Sequence, residues 1–234
     1  MNMLEIHQLN SWYGESHILH NLDLSVPQGQ VVTLLGRNGA GRTTILRSIM
    51  GLLEKRKGSI LIRGIEAIRM PTYRIAHLGV GYCPEERAIF SSLSTRENLL
   101  LPPVVSKTES GMSVEEIYAM FPNLKEREAS QGTRLSGGEQ QMLSLARILR
   151  TGAKFLLLDE ISEGLAPVIV QTLAKTIRTL KEKGYTILLV EQNFRFAAPL
   201  TDYFYVVEHG QVVEAFAAGE LAKKMPVLTA LLGV

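Results

Sequence analysis

The stretch GRNGAGRTTI, Gly36 to Ile45, constrains this chain more than any other. It follows QVVTLL (Gln30 to Leu35), a continuous apolar run that reads as a strand buried on both faces. After it, Ile45, Leu46, Ile49, Leu52 and Leu53 recur at helical spacing, with Gly58 beyond the helix end. A glycine loop between a strand and a helix turns backbone N–H groups inward around phosphates, and the helix dipole adds to the attraction. Gly36, Gly39 and Gly41 permit tight turns and close backbone approach. Arg37, Asn38, Ala40 and Thr44 complete the cradle, and Thr43 stands where a hydroxyl ligates Mg²⁺. The competing reading is a flexible glycine turn with no ligand.

Arg42 departs from the G-x-x-x-x-G-K-[ST] pattern, because a guanidinium is longer, planar and fork-shaped where lysine offers a compact charge. At an effective dielectric near 20, a charge pair at about 4 Å is worth about 4 kcal/mol, and moving it to about 5 Å loses only about 0.8. Phosphate binding is therefore expected to survive. Rate is more fragile, since a misplacement of about 1 Å can cost on the order of 100-fold.

A chain of 234 residues buries enough surface for a core without staples. The net charge of +2 is too small, and the basic residues too scattered, to argue for nucleic acid. Cys83 is the only cysteine, which excludes an internal disulfide and suits a reducing compartment. The five histidines form no metal spacing; His17 and His20 would share a face on a helix but read as ordinary surface. No apolar run approaches the roughly 18 residues that span a bilayer, and the N-terminus lacks a signal-peptide pattern. Membranes, if they matter, matter through a partner.

Along the chain, LEI, LDLSV and SILIR read as antiparallel strands with one wet face. From about residue 85 to 150 the pattern is helical. Ser94 with Glu97, and Ser113 with Glu116, carry the spacing of capping boxes. Met142, Leu145, Ala146 and Leu149 share one helix face. Then strand and helix alternate through KFLLL, a helix bearing Val170, Leu173, Ile177 and Leu180, then TILLV, YFYVV and QVVEA, with a hairpin turn at EHGQ. Parallel-type strands near Leu34, Leu157 and Leu188 around a helical insertion indicate one α/β unit with an inserted helical lobe.

Two further motifs lie downstream. LSGGEQQ (Leu135 to Gln141) opens an amphipathic helix with a serine and two glycines, and FLLLDE (Phe155 to Glu160) puts two carboxylates at the end of a buried strand. Taken alone, the first is a Gly-Gly helix start and the second a pair capping the next helix. In this order and spacing, with the glycine loop, they resemble the ATP-binding-cassette (ABC) ATPase family over essentially the whole chain. The resemblance implies an α/β P-loop NTPase core with an antiparallel β subdomain and an inserted α-helical subdomain. It makes residues 1–234 a single domain, with core and β parts at about 1–84 and 151–234 and a helical signature lobe at about 85–150.

The resemblance also assigns roles. Ser136, Gly137, Gly138 and Gln140 would face the γ-phosphate of ATP held by a second cassette, the same chain or a sister chain. Asp159 would orient Mg²⁺ and Glu160 would polarise the attacking water. Tyr13, in SWYGES, matches an adenine-stacking aromatic, although an edge-loop tyrosine alone is more often packing. Where the family usually has glutamine, GYCPEERAIF gives Glu85, an acceptable hard-oxygen donor for Mg²⁺. Where many members have histidine, VEQN gives Gln192, which donates a hydrogen bond but does not titrate near neutrality. Ile161 stands where proline is common.

VEQN, YGESHIL, GRNGAG and DEISEGLAP look like one ATPase subunit of branched-chain amino acid importers. That likeness implies transmembrane permease partners, indirectly a solute-binding protein, and a peripheral place on the cytoplasmic face of the bacterial inner membrane, soluble when isolated. A second expectation is an ATP-gated dimerisation module with little hydrolysis because of Arg42 and Glu85. A third is a soluble cassette ATPase serving translation or DNA repair, against which the lack of a second cassette or of coiled or zinc-bearing insertions counts.

Overall fold

The computed structural model describes residues 1–105 and 110–233. In chain order, β1 (Asn2–Tyr13) and β2 (Ser16–Pro27) form a long hairpin, and β3 (Val31–Leu35) leads into the glycine loop and α1 (Arg42–Ile49). β4 (Lys55–Ile62), β5 (Ile65–Glu66), α2 (Thr72–His77) and β6 (Val80–Cys83) follow. A helical stretch comes next: α3 (Thr95–Leu100), α4 (Val114–Met120), α5 (Pro122–Glu126) and α6 (Gly137–Arg150). The chain then returns through β7 (Phe155–Asp159), α7 (Pro167–Glu182), β8 (Thr186–Val190), α8 (Phe194–Ala197), β9 (Tyr203–Glu208), β10 (Gln211–Ala217) and α9 (Leu221–Leu232).

Two sheets result. One is antiparallel, in the order β2-β1-β4-β5; the other runs β10-β9-β3-β8-β7-β6 and is parallel except for β10. Every residue of β3, β7 and β8 is buried, the pattern of strands covered on both faces. Their side chains alternate between two layers. Val31, Leu156, Leu158 and Ile187 join the core shared with α6 and α7, whereas Val32, Leu34, Leu157 and Leu188 join the core under α1 and the antiparallel sheet. His17 and His20 lie on β2 and not on a helix, with ring centroids 4.0 Å apart.

Both expected capping boxes form, and Ser136 with Glu139 makes a third at the head of α6. The expected helix after the glycine loop is shorter than its apolar spacing suggests. It ends before Gly51 (φ 73°), so Leu53 reaches the core from the following loop and Leu52 is exposed. Gly58 belongs to β4. The EHGQ turn is a two-residue hairpin with His209 and Gly210 both at positive φ, as the favoured mirror-image turn requires.

The parallel strands deliver chemistry at their carboxyl ends, where open α/β sheets bind ligands. β3 releases the glycine loop, β6 releases Pro84 and Glu85, β7 ends at Asp159 and Glu160, and β8 ends at Glu191 and Gln192.

Candidate active site

The glycine loop is shaped by two close approaches. A Cβ on Gly36 would stand 2.5 Å from the Val207 carbonyl oxygen on β9, so no side chain fits there. Gly41 has φ 104° and begins α1 from a conformation that L side chains rarely adopt. The loop and the start of α1 form one wall of a cleft of about 400 Å³, lined by Asn38 through Thr44, with Tyr13 and Ile18 on the β1–β2 side and Glu85, Glu160 and Glu163 opposite.

Arg42 is buried, and its Nη2 donates to Glu160 Oε1 at 2.7 Å and to Asn38 Oδ1 at 3.4 Å. Its Nη1 is also buried yet has no hydrogen-bond partner in the structure. A buried donor left this way costs about 1–3 kcal/mol, more for a charged group. Arg42 lines the cleft, so a turn of its side chain toward the opening would bring that nitrogen to a phosphate oxygen.

Thr43 Oγ1 donates to Asp159 Oδ1 at 3.1 Å, and Tyr82 Oη donates to Asp159 Oδ2 at 3.1 Å. Asp159 ends β7 fully buried, and burial pushes its carboxyl up to about 6 although Tyr82 and Thr43 pull it down. Glu160, one residue on, has φ 46° and donates its N–H to the Val190 carbonyl at 2.9 Å. A left-handed non-glycine residue costs about 1–3 kcal/mol. Here it is the turn that brings two successive carboxylates to one side of the strand end. Burial raises the Glu160 carboxyl to about 7, while Arg42 draws it down and Glu163 and Glu85 repel it.

Among the described residues no three acidic, histidine or cysteine side chains converge as a ready-made metal cage. The Thr43 hydroxyl and the Asp159 carboxylate stand 3.1 Å apart as hard-oxygen donors, a pair that fits Mg²⁺ whose remaining ligands a polyphosphate would supply.

Tyr13, half exposed at the cleft rim, and Glu85 lie where a nucleotide in the cleft would meet them. Arg37 does not line the cleft; its guanidinium turns to the opposite side of the loop and donates to the carbonyls of Leu231 and Ala230. Gln192 is exposed and outside the cleft lining. Ser136, Gly137, Gly138 and Gln140 stand apart at the head of α6. There Arg87 Nη1 donates to Gln140 Oε1 at 3.2 Å, and the Arg87 guanidinium covers Gly137.

Three polar residues are absent from the motif reading. Tyr82 lies in GYCPEERAIF and Glu163 in DEISEGLAP, and neither motif assigns it a role. Glu191 is the third. It is buried and accepts from Ser162 N at 3.0 Å and Ser162 Oγ at 2.9 Å, and burial pushes its carboxyl up to about 7. A carboxylate closing the apolar run TILLV was the available signal.

Comparison with known proteins shows the family. The family described as ABC transporter matches residues 19–163, more than half of the chain. The chain is 38% identical over 232 residues to the high-affinity branched-chain amino acid transport ATP-binding protein BraG of Pseudomonas aeruginosa, covering 99% of this chain and 100% of that one. It is 31% identical over 219 residues to the lipopolysaccharide export system ATP-binding protein LptB of Escherichia coli, covering 91% and 90%. Among solved structures, a dimeric post-hydrolysis ATP-binding cassette bound to ADP and Pi has a TM-score of 0.80 at 22% identity, covering 92% of this chain and 99% of that one.

Proposed function

The chain belongs to the ABC transporter ATP-binding family, and from that premise we propose that it is the ATP-hydrolysing subunit of an importer for branched-chain amino acids or a related small polar solute. The observation that carries the catalytic part is the buried Arg42 with one guanidinium nitrogen unpartnered, beside the Thr43–Asp159 hydrogen bond and the left-handed Glu160. The backbone of Gly36 to Thr44 wraps the phosphates, with Arg42 Nη1 donating to one of them, and Tyr13 stacks on the adenine. Thr43, Asp159 and Glu85 would hold Mg²⁺, which when bound would neutralise charge on the phosphate oxygens. Glu160 orients the attacking water and takes its proton through the carboxylate oxygen that Arg42 leaves free. Gln192 follows β8 at the same sheet end and supplies an amide hydrogen bond once a partner closes the cleft.

The second half of the site comes from another cassette, whose Ser136, Gly137, Gly138 and Gln140 cover the γ-phosphate. The dimeric cassette of the same fold supports this arrangement. Residues 85–150 form the lobe that meets a transmembrane permease, and the exposed apolar side chains Phe90, Leu100 and Leu101 support a contact there. Among the described residues no helix is long and apolar enough to cross a membrane. The proposed importer is completed by transmembrane permease subunits and, indirectly, a solute-binding protein. The site of action is then the cytoplasmic face of a bacterial inner membrane.

The full-length 38% identity to BraG favours an importer, against 31% to an export subunit. The Arg42–Glu160 ion pair favours the second reading, a cassette that closes on ATP and turns over slowly. Steady-state ATPase assays of the purified chain separate them: Mg²⁺-dependent turnover abolished by Glu160→Gln supports the hydrolase, and its absence in wild type supports the slow module. Deleting the gene in its host and following uptake of labelled leucine tests the solute. Unchanged uptake of all three branched-chain amino acids would remove the importer assignment.

A further inference from the structure

The phosphate loop has two faces. Arg42, Thr43 and Thr44 line the cleft, while Arg37 leaves the opposite side and reaches α9. Its Nε donates to the Leu231 carbonyl at 2.7 Å and its Nη2 to that of Ala230 at 3.4 Å. These carbonyls belong to the last turn of a helix, where no intrahelical N–H among the described residues reaches them and the negative end of the dipole lies. The last turn of α9 has no basic residue of its own, so Arg37 supplies the cation that complements it.

α9 is anchored independently of that contact. Leu228 is fully buried in a cluster with Leu35, Phe204 and Phe216, and Lys224 pairs with Glu214 at 2.8 Å. Leu35 is the residue immediately before Gly36, so the helix grips both the strand end and the loop that follows it. Between loop and helix, packing is open. A cavity of about 220 Å³ separates Asn38 and Gly39 from Leu231 and Leu232, and no heavy atom lies within 4 Å of where a Gly39 Cβ would stand. The Gly210 N–H donates to the Ala40 carbonyl at 2.9 Å and ties the loop to the β9–β10 turn, whereas the Arg37 guanidinium is what ties it across the gap to α9.

We propose that Arg37 is a positioning residue: by holding the end of α9 it sets the pose of the phosphate loop, so that the C-terminal helix controls nucleotide affinity from outside the cleft. The inference rests on the nucleotide reading of the cleft given above. It identifies α9 as the element through which a contact remote from ATP changes how tightly ATP is held.

Two measurements on the full chain test it: amide hydrogen exchange, and ATP affinity titrated in EDTA, where no turnover intervenes. Arg37→Ala is expected to speed exchange in both 36–44 and 229–233 and to raise Kd about two- to fivefold, the worth of one charge at a helix end. Arg37→Lys, which keeps a cation there, restores most of the affinity. Lys224→Ala, which releases α9 from Glu214 without touching the strand end or the loop, changes both in the same direction. Faster exchange in α9 alone, with loop exchange and Kd as in wild type, would make Arg37 a mere helix cap and overturn the proposal. A wild type that binds no ATP would defeat the reading of the cleft, while the joint exchange response would still decide this inference.

Discussion

Arg42 and Glu160 approach from the ends of two strands, β3 and β7, and meet as an ion pair of 2.7 Å between Nη2 and Oε1 with 4% and 11% of their side chains exposed. β8 lies between those strands, so the pair bridges the width of one strand across the mouth of the cleft. It places the cation of the phosphate loop and the proposed general base in a single contact, with the second guanidinium nitrogen buried and unpartnered.

Removing that cation is expected to destabilise the protein in a pH-dependent way. Breaking a buried pair commonly costs 3–5 kcal/mol, and water in the cleft screens this to about 2 kcal/mol, or about 4–8 °C in Tm. In Arg42→Met the Glu160 carboxyl loses the charge that draws it down and rises further above its already raised value of about 7. A raised carboxyl contributes stability that is complete below its unfolded pKa and lost as pH rises through the folded one. The Tm deficit should therefore be small at pH 6 and full at pH 8.5. Thermal unfolding in EDTA without nucleotide measures it, and an equal deficit at both pH values would contradict the ion-pair account.

Glu85 lines the cleft, and its charge raises both Asp159 and Glu160. In Glu85→Gln those carboxyls should ionise at lower pH, so the acid limb of the ATPase profile shifts downward in pH. The Mg²⁺ concentration for half-maximal rate should rise, because an anionic oxygen donor has been replaced by a neutral one. Unchanged pH limb and unchanged Mg²⁺ dependence together would remove Glu85 from the metal-sensing role.

Some of this was readable from residue order and some was not, for physical reasons. The strand, loop and helix around Gly36 to Ile45, and the capping boxes at Ser94 and Ser113, are local patterns and form where spacing predicts, although α1 stops at Ile49, short of Leu52 and Leu53. β6 was missed because VGYC carries a glycine where strands favour bulk. Its reason is tertiary: a Cβ on Gly81 would stand 2.1 Å from Ile148 Cγ2 on α6. α9 was missed because Pro226 interrupts it and only Leu228 is fully buried, so its pattern is faint. The left-handed backbone of Glu160 leaves no mark in composition, since the bond that holds it runs to Val190 on a neighbouring strand. Which face of the loop Arg37 takes is equally invisible, because a loop has no period.

Tyr13 stands at the cleft rim, 41% exposed, with Arg47 beside its hydroxyl. Stacking of a base on an aromatic ring is worth about 1–3 kcal/mol, so Tyr13→Ala should weaken ATP binding about 5- to 150-fold and leave Tm within about 2 °C. Tyr13→Phe should bind like wild type. Equal affinity in the alanine variant would show that the ring does not meet the base.

Glu191 offers a test of stability that leaves the phosphate loop untouched. It is 1% exposed at the end of β8 and faces Ser162, and it has no cation within ion-pair distance among the described residues. Burial is the main cause of its carboxyl rising from 4.5 to about 7, opposed by the Ser162 and Asn193 hydrogen bonds and reinforced by the charge of Glu160. The folded protein therefore holds this proton more tightly than the unfolded chain, so stability from this group is complete below pH 4.5 and is lost as pH rises through 7. At pH 8 the ionised carboxylate is retained at a cost on the order of 2–3 kcal/mol. Glu191→Gln preserves an acceptor for Ser162 N without the charge. Its Tm should exceed that of wild type at pH 8, by about 4–10 °C, and the advantage should shrink toward pH 5.5. A glutamine variant less stable than wild type at pH 8 would mean that the anion, through its bonds to Ser162 and Asn193, holds the strand end together more strongly than burial opposes it.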